Sequence, residues 1–207
     1  MFSAIFWDND GVLMETEHLY FRANADALAR AGIELTLEAF CELSLKRGES
    51  VLSLAAEGER ELRGWRDERY RELLGLEAQA IPGVVQVLSV LHGRMPMAVV
   101  TSCRRENFLH MHRESGLLGF FDFILTREDY GNAKPDPEPY LAACRRAGLA
   151  PGRCLAIEDS ERGVTAAARA GLAVAALPGA MNAGGDFSAA RWRLTDVNQI
   201  PGLLGLP

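Results

Sequence analysis

Short runs of hydrophobic residues alternate along most of the chain with longer stretches in which hydrophobic residues recur at helical spacing. Five runs have the length and continuity of buried strands, namely Ala4–Trp7, Met97–Val100, Phe123–Leu125, Cys154–Ile157 and Ala173–Leu177. Segments with hydrophobic residues at helical spacing lie between these runs, at Val84–Leu91, Glu106–Ser115, Pro139–Ala147 and Gly163–Ala170. Strands alternating with helices are typical of a parallel sheet covered on both faces. The pattern predicts an α/β fold with a doubly wound parallel sheet, followed by a late strand and a closing helix at Trp192–Leu194 and Asn198–Leu204.

One stretch early in the chain interrupts this alternation. From about Glu15 to Ala80 the hydrophobic residues follow helical spacing only, as in Leu19, Ala23 and Ala27. Farther along, Glu57–Leu74 mixes Arg and Glu with isolated large apolar residues, which is typical of a solvated helix. The sequence therefore predicts two units: an α/β core from residues 1–14 and 82–207, and a helical insertion from residues 15–81.

Composition narrows the class of protein. With 207 residues, 48% of them hydrophobic, the chain can bury a sizeable core. A net charge of −6, spread along the chain, argues against nucleic acid or an anionic membrane as the main partner. We find neither a leader pattern nor an apolar stretch long enough to span a bilayer. Four scattered cysteines without a C-x-x-C pair indicate reduced thiols, so we expect a cytoplasmic protein.

The first predicted strand ends in two carboxylates, Asp8 and Asp10, followed by Gly11. Side chains alternate along a strand, so the two acids would share a face if the strand continued. Because like charges repel, two carboxylates this close do not both ionise readily unless a cation lies between them or they share a proton. A hard divalent metal with oxygen ligands satisfies that need, and a solvated turn is the alternative.

Three further polar sites follow predicted strands. Thr101 and Ser102 stand where a hydroxyl and helix-start amides suit a phosphate oxygen, although an ordinary helix cap would look the same. Lys134 lies in a proline-rich loop that holds it in a fixed orientation. A second acidic pair, Glu158 and Asp159, ends the fourth strand. Because ligands of open α/β sheets bind beyond the carboxyl ends of the strands, we expect all of these groups to converge.

These residues, in this order, resemble the motifs of the haloacid dehalogenase-like superfamily of phosphotransferases. The segment Asp8–Leu13 is similar to its first motif, Thr101 to its second and Lys134 to its third. Glu158–Ser160 is similar to its fourth motif, so the resemblance extends over almost the whole chain. The helical insertion at 15–81 resembles the small α-helical cap of the subgroup that contains phosphoglycolate phosphatase and β-phosphoglucomutase.

The resemblance implies a role for each motif residue. Asp8 would attack the substrate phosphorus and form an aspartyl-phosphate. Asp10 would protonate the leaving oxygen and then accept a proton from the hydrolytic water. Mg²⁺ would be held by Asp8, Asp159 and the main-chain carbonyl of Asp10, with Glu158 bound directly or through water. Phosphate binding would fall to Asn9, Gly11, Thr101, Ser102 and Lys134.

Two substitutions depart from the pattern of the superfamily. Glu15 stands where relatives commonly carry Asp, and we expect it to affect the hinge into the cap more than the chemistry. Trp7 replaces the usual Phe before the nucleophile, which we interpret as a packing change. Neither substitution alters the roles assigned above.

Substrate choice in such proteins depends on the cap. Lys46 and Arg47, followed by Gly48, are candidates to grip a carboxylate or a second phosphate of the substrate, and a solvated pair at a helix end is the alternative. Tyr20 either faces the cleft or packs partly buried. It stands roughly where β-phosphoglucomutase carries a histidine, which favours hydrolysis.

We therefore expect a Mg²⁺-dependent phosphatase, monomeric or homodimeric, that acts on a small phosphate ester such as a sugar phosphate or phosphoglycolate. A β-phosphoglucomutase-like phosphosugar mutase is the alternative within the same superfamily. A phosphoacceptor signalling domain also combines acids, Thr and Lys, but its acceptor Asp lies on a middle strand and no cap is inserted. The position of Asp8 on the first strand argues against that class.

Overall fold

A six-stranded parallel sheet organises the molecule. The computed structural model describes residues 2–206, so Met1 and Pro207 of the predicted core lie outside it. The sheet strands are β1 (Ala4–Trp7), β4 (Met97–Val100), β5 (Phe123–Leu125), β6 (Cys154–Glu158), β7 (Ala173–Ala176) and β8 (Trp192–Arg193), and the short strands β2 (Met14–Glu15) and β3 (Gln79–Ala80) form a separate pair. The order across the sheet is β5-β4-β1-β6-β7-β8. This is the doubly wound order, in which successive strands are added first on one side of β1 and then on the other, so the predicted fold class is confirmed.

Both faces of the sheet are buried along its central strands, as their apolar residues require. Ile5 and Trp7 of β1 belong to one hydrophobic cluster, and Ala4 and Phe6 belong to the other. Period-two alternation along the strand therefore separates two cores. The first core includes residues of α4 (Val84–Leu91), α5 (Arg105–Met111) and α8 (Ile200–Leu203), and the second includes residues of α6 (Glu138–Ala147) and α7 (Glu161–Arg169).

The insertion after β1 is helical. It contains α1 (Glu17–Ala29), α2 (Leu37–Phe40), a π-helical segment at Cys41–Arg47, a 3₁₀ turn at Val51–Leu54 and α3 (Glu59–Glu77). A small hydrophobic cluster of its own includes Leu28, Phe40 and Leu52. The side chain of Thr36 accepts a hydrogen bond from the Ala39 amide and so caps α2, as its position before a helical segment indicates.

A two-stranded antiparallel ribbon closes the base of this insertion. Met14 pairs with Ala80 and Glu15 pairs with Gln79, so the chain leaves and re-enters the core at one place. The hydrophobic pattern predicted no strand from Glu15 to Ala80. The structure places the short strands β2 and β3 at the two ends of that stretch. Strands of two residues are too short to show an alternating pattern.

Several helix ends differ from the predicted ones by a few residues. The helix predicted over Glu106–Ser115 is α5, which ends at Met111. The helix predicted from Gly163 begins instead at Glu161, because the Ser160 side chain caps it by accepting from the Gly163 amide. Within residues 2–206, no helix is both long enough and hydrophobic enough to cross a membrane.

We predict that Leu88→Ala lowers the free energy of unfolding by about 2–5 kcal/mol, because Leu88 is fully buried on the core face of α4 and its truncation leaves a cavity. Val85→Ala is the matched control on the same helix, where the side chain is 44% exposed, and should change stability by no more than about 0.5 kcal/mol. Urea unfolding of both variants tests this. Equal losses would contradict the burial of this face.

Candidate active site

The polar groups predicted to converge do meet at the carboxyl ends of the central strands. Asp8 follows β1, Thr101 follows β4, and Glu158 and Asp159 close β6. Strand β1 lies between β4 and β6 in the sheet, which brings these chain segments side by side. Lys134 arrives from the loop before α6. This edge is the point where the strand order reverses, the usual ligand site of an open α/β sheet.

Lys134 forms the centre of the site. Its Nζ lies 2.6 Å from Glu158 Oε1 and 3.0 Å from Asp8 Oδ1. It also donates to the main-chain oxygen of Val100 at 2.9 Å. Burial acts to lower the pKa of Lys134, but attraction to Asp8 and Glu158 outweighs it and raises that pKa well above the usual value. The ammonium is therefore fixed as a cation between two carboxylates.

Three buried carboxylates crowd around this lysine. Oxygen atoms of Asp8, Glu158 and Asp159 all lie within 4.8 Å of one another. Burial, reinforced by the charge of Glu158, raises the pKa of Asp8 to about 7. Burial, followed by repulsion from Glu17 and Asp8, raises the pKa of Asp159 well above its usual range. One lysine is thus insufficient to balance the local negative charge.

Asp10 is held by two hydroxyl groups. Thr16 Oγ1 donates to one of its carboxylate oxygens at 2.6 Å, and Thr101 Oγ1 donates to the other at 3.3 Å. Burial, and then the charge of Asp8, raises the pKa of Asp10. The Thr101 hydroxyl also accepts from the Cys103 amide at 3.0 Å, so it is fixed at the start of the loop that follows β4.

Two glycines make room for the acidic groups. A Cβ on Gly11 would lie 2.1 Å from Asp159 Oδ2, and Gly11 also has a positive φ of 74°. A Cβ on Gly163 would lie 1.9 Å from Glu158 Oε2. Any side chain at either position would displace a carboxylate, which explains why glycine stands at residues 11 and 163.

The side chain of Asn9 points away from the cleft. It is fully buried, its Oδ1 lies 2.7 Å from His112 Nε2, and its Nδ2 lies 3.3 Å from Met111 Sδ. These contacts anchor the loop between Asp8 and Asp10 to α5. Of the predicted phosphate contacts at Asn9, the structure therefore leaves only the main chain available.

The insertion covers the cleft, which encloses about 440 Å³. Its lining includes Asp8 and Lys134 from the core, Ser102 beside them, and Tyr20 and Gly48 from the insertion. A Cβ on Gly48 would lie 2.4 Å from the guanidinium carbon of Arg162, a core residue at the start of α7. Of the predicted cap residues, Tyr20 and Gly48 thus reach the cleft.

Lys46 and Arg47 do not reach it. Both pair with Glu42, at 3.4 Å and 3.0 Å, and both side chains are more than half exposed. The structure places them at the end of the π-helical segment, which favours the alternative interpretation of a solvated ion pair.

The structure adds polar residues that the sequence did not single out. Asn182 Nδ2 donates to Asp159 Oδ2 at 2.6 Å and to Glu17 Oε1 at 2.5 Å. The Tyr140 hydroxyl donates a short hydrogen bond to Glu158 Oε1. Glu17 follows the first motif, and Tyr140 follows the proline-rich loop of Lys134, so their positions in the sequence indicated a place near the site. Asn182 lies in a loop of small residues, and nothing in the sequence around it predicted this contact.

Buried carboxylates around a lysine, at the switch point of a doubly wound sheet, form a candidate active site. The family model for haloacid dehalogenase-like hydrolases matches residues 2–171, and the chain belongs to this family. The predictions of family, fold and enzyme class, a phosphatase of this family, are therefore confirmed.

The chain is similar to several members of this family, and their names differ. Protein CbbY of Rhodobacter capsulatus is 28% identical, over 94% of this chain and 93% of the relative. A phosphorylated carbohydrates phosphatase of Thermotoga maritima is 30% identical, over 82% of each protein. A crystal structure of a CbbY mutant from Rhodobacter sphaeroides with xylulose-(1,5)-bisphosphate superimposes with a TM-score of 0.85 at 27% identity, covering 100% of this chain and 99% of that one.

We predict that His112 makes stability depend on pH. Burial lowers the pKa of His112 from 6.5 to about 4. The unfolded chain therefore binds this proton between those values while the native state does not, so stability is full above pH 6.5 and falls as the pH drops toward 4. His112→Gln retains an N–H donor for Asn9 and does not titrate.

Urea unfolding at a series of pH values is the measurement. Between pH 7 and pH 4, the wild type should lose about 3 kcal/mol more than His112→Gln. Parallel curves for the two proteins would show that His112 titrates normally in the folded state.

Proposed function

We propose that the protein is a Mg²⁺-dependent phosphatase that hydrolyses a small phosphorylated metabolite through an aspartyl-phosphate intermediate. The observation that carries this proposal is the position of Asp8. The same carboxylate lies 3.0 Å from a buried lysine ammonium and belongs to a triad of acids suited to a divalent cation. An anionic nucleophile approaches an anionic phosphate only when cations screen both.

The two-unit organisation is part of this proposal, with residues 1–14 and 82–207 as catalytic core and residues 15–81 as cap. The antiparallel ribbon at Met14–Glu15 and Gln79–Ala80 supports these boundaries, because both connections pass through it. The separate hydrophobic cluster around Phe40 supports a cap with its own packing.

The acidic residues fit a magnesium ion. Asp8, Glu158 and Asp159 offer hard oxygen ligands, and the pKa of Asp159 is raised by burial and then by repulsion from neighbouring carboxylates, which a cation would relieve. Asp8, Asp159 and the main-chain carbonyl of Asp10 would hold the ion, with Glu158 as a direct or water-mediated ligand. When bound, Mg²⁺ supplies positive charge to the phosphoryl oxygens.

Asp8 is the nucleophile in this scheme. A carboxylate oxygen forms a bond to phosphorus while the bond from phosphorus to the leaving oxygen breaks. Burial raises the pKa of Asp8 to about 7, and Lys134 acts in the opposite direction by favouring the ionised form that attacks. Water then attacks the same phosphorus, which releases inorganic phosphate and restores Asp8.

Asp10 carries the proton in both steps. Its raised pKa favours the protonated form that donates to the leaving oxygen. The resulting carboxylate then accepts a proton from the attacking water. Thr16 and Thr101 hold the two oxygens of Asp10 and so limit the rotation of this group.

Phosphate binding is assigned to Lys134, to the hydroxyl groups of Thr101 and Ser102, and to the main-chain amides of Asn9 and Gly11. The hydroxyl of Thr101 has one proton, so it would donate to the phosphate in place of its 3.3 Å contact with Asp10. Thr101 is fully buried, whereas Ser102 lines the cleft directly. Exclusion of solvent around Lys134 strengthens its attraction for the phosphoryl oxygens.

The size of the cleft favours a sugar phosphate over a smaller substrate such as phosphoglycolate. About 440 Å³ is in the range of cavities that enclose whole small-molecule ligands. Relatives named for phosphorylated carbohydrates and for fructose-1-phosphate agree with that class. The four free thiols support a reducing compartment, and we propose the cytoplasm.

We predict that Asp8→Asn abolishes Mg²⁺-supported phosphate release from p-nitrophenyl phosphate and from sugar phosphates, with a loss of at least about a thousandfold, because an amide is no nucleophile. Asp26→Asn, an exposed acid on α1 paired with Arg69, is the matched control and should retain full activity. Undiminished turnover by Asp8→Asn would refute the assignment. Formation of hexose 6-phosphate from hexose 1-phosphate would replace hydrolysis with the mutase reaction.

We predict that Mg²⁺ stabilises the folded protein and that Asp159→Asn removes this effect. At a hundredfold excess over Kd, a ligand of the native state adds about 2.7 kcal/mol. Without Mg²⁺, Asp159→Asn should be more stable than the wild type, because the substitution relieves repulsion among buried carboxylates. Thermal unfolding with Mg²⁺ or with EDTA measures the stabilisation by Mg²⁺ and the stability without it. The control Asp26→Asn should show the same stabilisation by Mg²⁺ as the wild type.

A further inference from the structure

One buried tyrosine contacts both partners of the ion pair between Lys134 and Glu158, and no step of the proposed hydrolysis uses it. Tyr140 is fully buried in the first turn of α6. Its hydroxyl donates to Glu158 Oε1. Its ring centroid lies 5.2 Å from Lys134 Nζ, within the range of a cation–π contact. The hydroxyl of Tyr140 therefore contacts the carboxylate, while its ring contacts the ammonium.

The position of Tyr140 follows from the segment that carries Lys134. Three prolines restrict the backbone between these two residues. Helix α6 follows directly, and its buried face packs with Tyr140 into the second hydrophobic core. One stiff and well-anchored segment thus delivers an ammonium and a phenol to the same carboxylate.

The two oxygens of Glu158 have very different contacts. Oε1 accepts from Lys134 Nζ at 2.6 Å and from the Tyr140 hydroxyl. For Oε2, the described residues 2–206 provide only the Ser160 hydroxyl, at the long distance of 3.5 Å. A carboxylate oxygen accepts about two hydrogen bonds, so the capacity of Oε1 is used. The capacity that remains for a cation, or for a water bound to one, belongs to Oε2.

The two donors to Oε1 differ in how well they define its direction. A lysine ammonium is a compact point charge on a flexible stem, so it attracts a carboxylate without orienting it. The Tyr140 hydroxyl lies on a rigid ring that is packed in the core. Burial, followed by the charge of Glu158, raises the pKa of Tyr140 well above its usual value, so the phenol retains the proton that it donates. The orientation of the carboxylate therefore depends on the tyrosine.

We propose that Tyr140 is a positioning residue, whose hydroxyl holds Glu158 Oε1 so that Oε2 is presented to a divalent cation or to a water bound to that cation. This inference rests on the proposed Mg²⁺-dependent phosphatase and adds to it a residue that contacts neither the cation nor the phosphate. Groups that orient the ligands of a metal change its affinity by about ten- to a hundredfold when they are removed.

Tyr140→Phe is the variant that tests the hydroxyl alone. It keeps the ring beside Lys134 and removes only the donor to Glu158. Calorimetric titration of Mg²⁺ into the metal-free protein measures the effect without turnover. We expect the Kd for Mg²⁺ to increase at least about tenfold. An unchanged Kd would overturn the positioning role.

Tyr130→Phe is the matched control for a merely structural hydroxyl. Tyr130 is also buried, and its hydroxyl donates to the main-chain oxygen of Thr101 at 2.8 Å instead of to a carboxylate. Both variants lose one buried hydrogen bond, so both should lose some stability in urea unfolding with EDTA. Only Tyr140→Phe should bind Mg²⁺ more weakly. Equal weakening in the two variants would show a general effect of destabilisation and would contradict the proposal.

A double variant shows whether Tyr140 acts through Glu158. Glu158→Gln removes the carboxylate and should itself increase the Kd for Mg²⁺. If the hydroxyl works only by holding this carboxylate, Tyr140→Phe should increase Kd by less than about twofold more in the Glu158→Gln background. A further tenfold increase there would show that Tyr140 acts on a different group.

Phosphate release from p-nitrophenyl phosphate provides a second readout. For Tyr140→Phe, the Mg²⁺ concentration that gives half of the maximal rate should increase by the same factor as Kd. The difference from the wild type should therefore become smaller as Mg²⁺ is raised. A rate deficit that is the same at every Mg²⁺ concentration would contradict a role in presenting Glu158 to the cation.

The outcomes separate this inference from the proposed function. A wild type that binds Mg²⁺ and hydrolyses p-nitrophenyl phosphate through Asp8, together with a Tyr140→Phe variant of unchanged Kd, would overturn the positioning role and leave the phosphatase intact. A wild type that neither binds Mg²⁺ nor requires it for phosphate release would overturn the proposed function, and this inference with it.

Discussion

The ion pairs of Lys134 are the interaction on which the site depends. A buried ammonium lies between Asp8 and Glu158, in a region where burial raises the pKa of Asp8. Because its charge is insufficient for Asp159 as well, the site retains surplus negative charge. The same imbalance keeps the lysine charged and makes a divalent cation favourable. The same surplus of negative charge therefore accounts both for the ion pairs of Lys134 and for the proposed binding of a divalent cation.

The sheet makes this concentration of charge possible. Parallel strands β1, β4 and β6 end at the same edge, and their apolar residues fill two cores that fix the edge in place. Below the acidic loop, Asn9 and His112 form a buried contact that anchors it to α5. Gly11 and Gly163 leave space for the carboxylates. The free energy gained by burying hydrophobic surface offsets the cost of placing these acids together.

The insertion supplies the other half of the cleft lining, with acidic and basic side chains together. The core presents carboxylates, while α3 contributes Arg66 beside Tyr20. A short ribbon at Met14–Glu15 and Gln79–Ala80 is the connection between the units. A longer-range ion pair also joins the two units, because Arg104 Nη1 of the core lies 3.8 Å from Asp67 Oδ2 of the insertion.

The sequence by itself determined the sheet, the helical insertion and the residues at the strand ends, because those features follow from local periodicity and from the positions of acids after apolar runs. It did not determine which groups contact one another across the fold. Asn182 reaches Asp159 from a loop without a motif, and Arg66 lies on a helix whose charges suggested a solvated face. Lys46 and Arg47 had suitable chemistry but point to solvent. Side-chain direction, burial and shared counter-ions depend on how distant segments pack, and only the tertiary structure decides them.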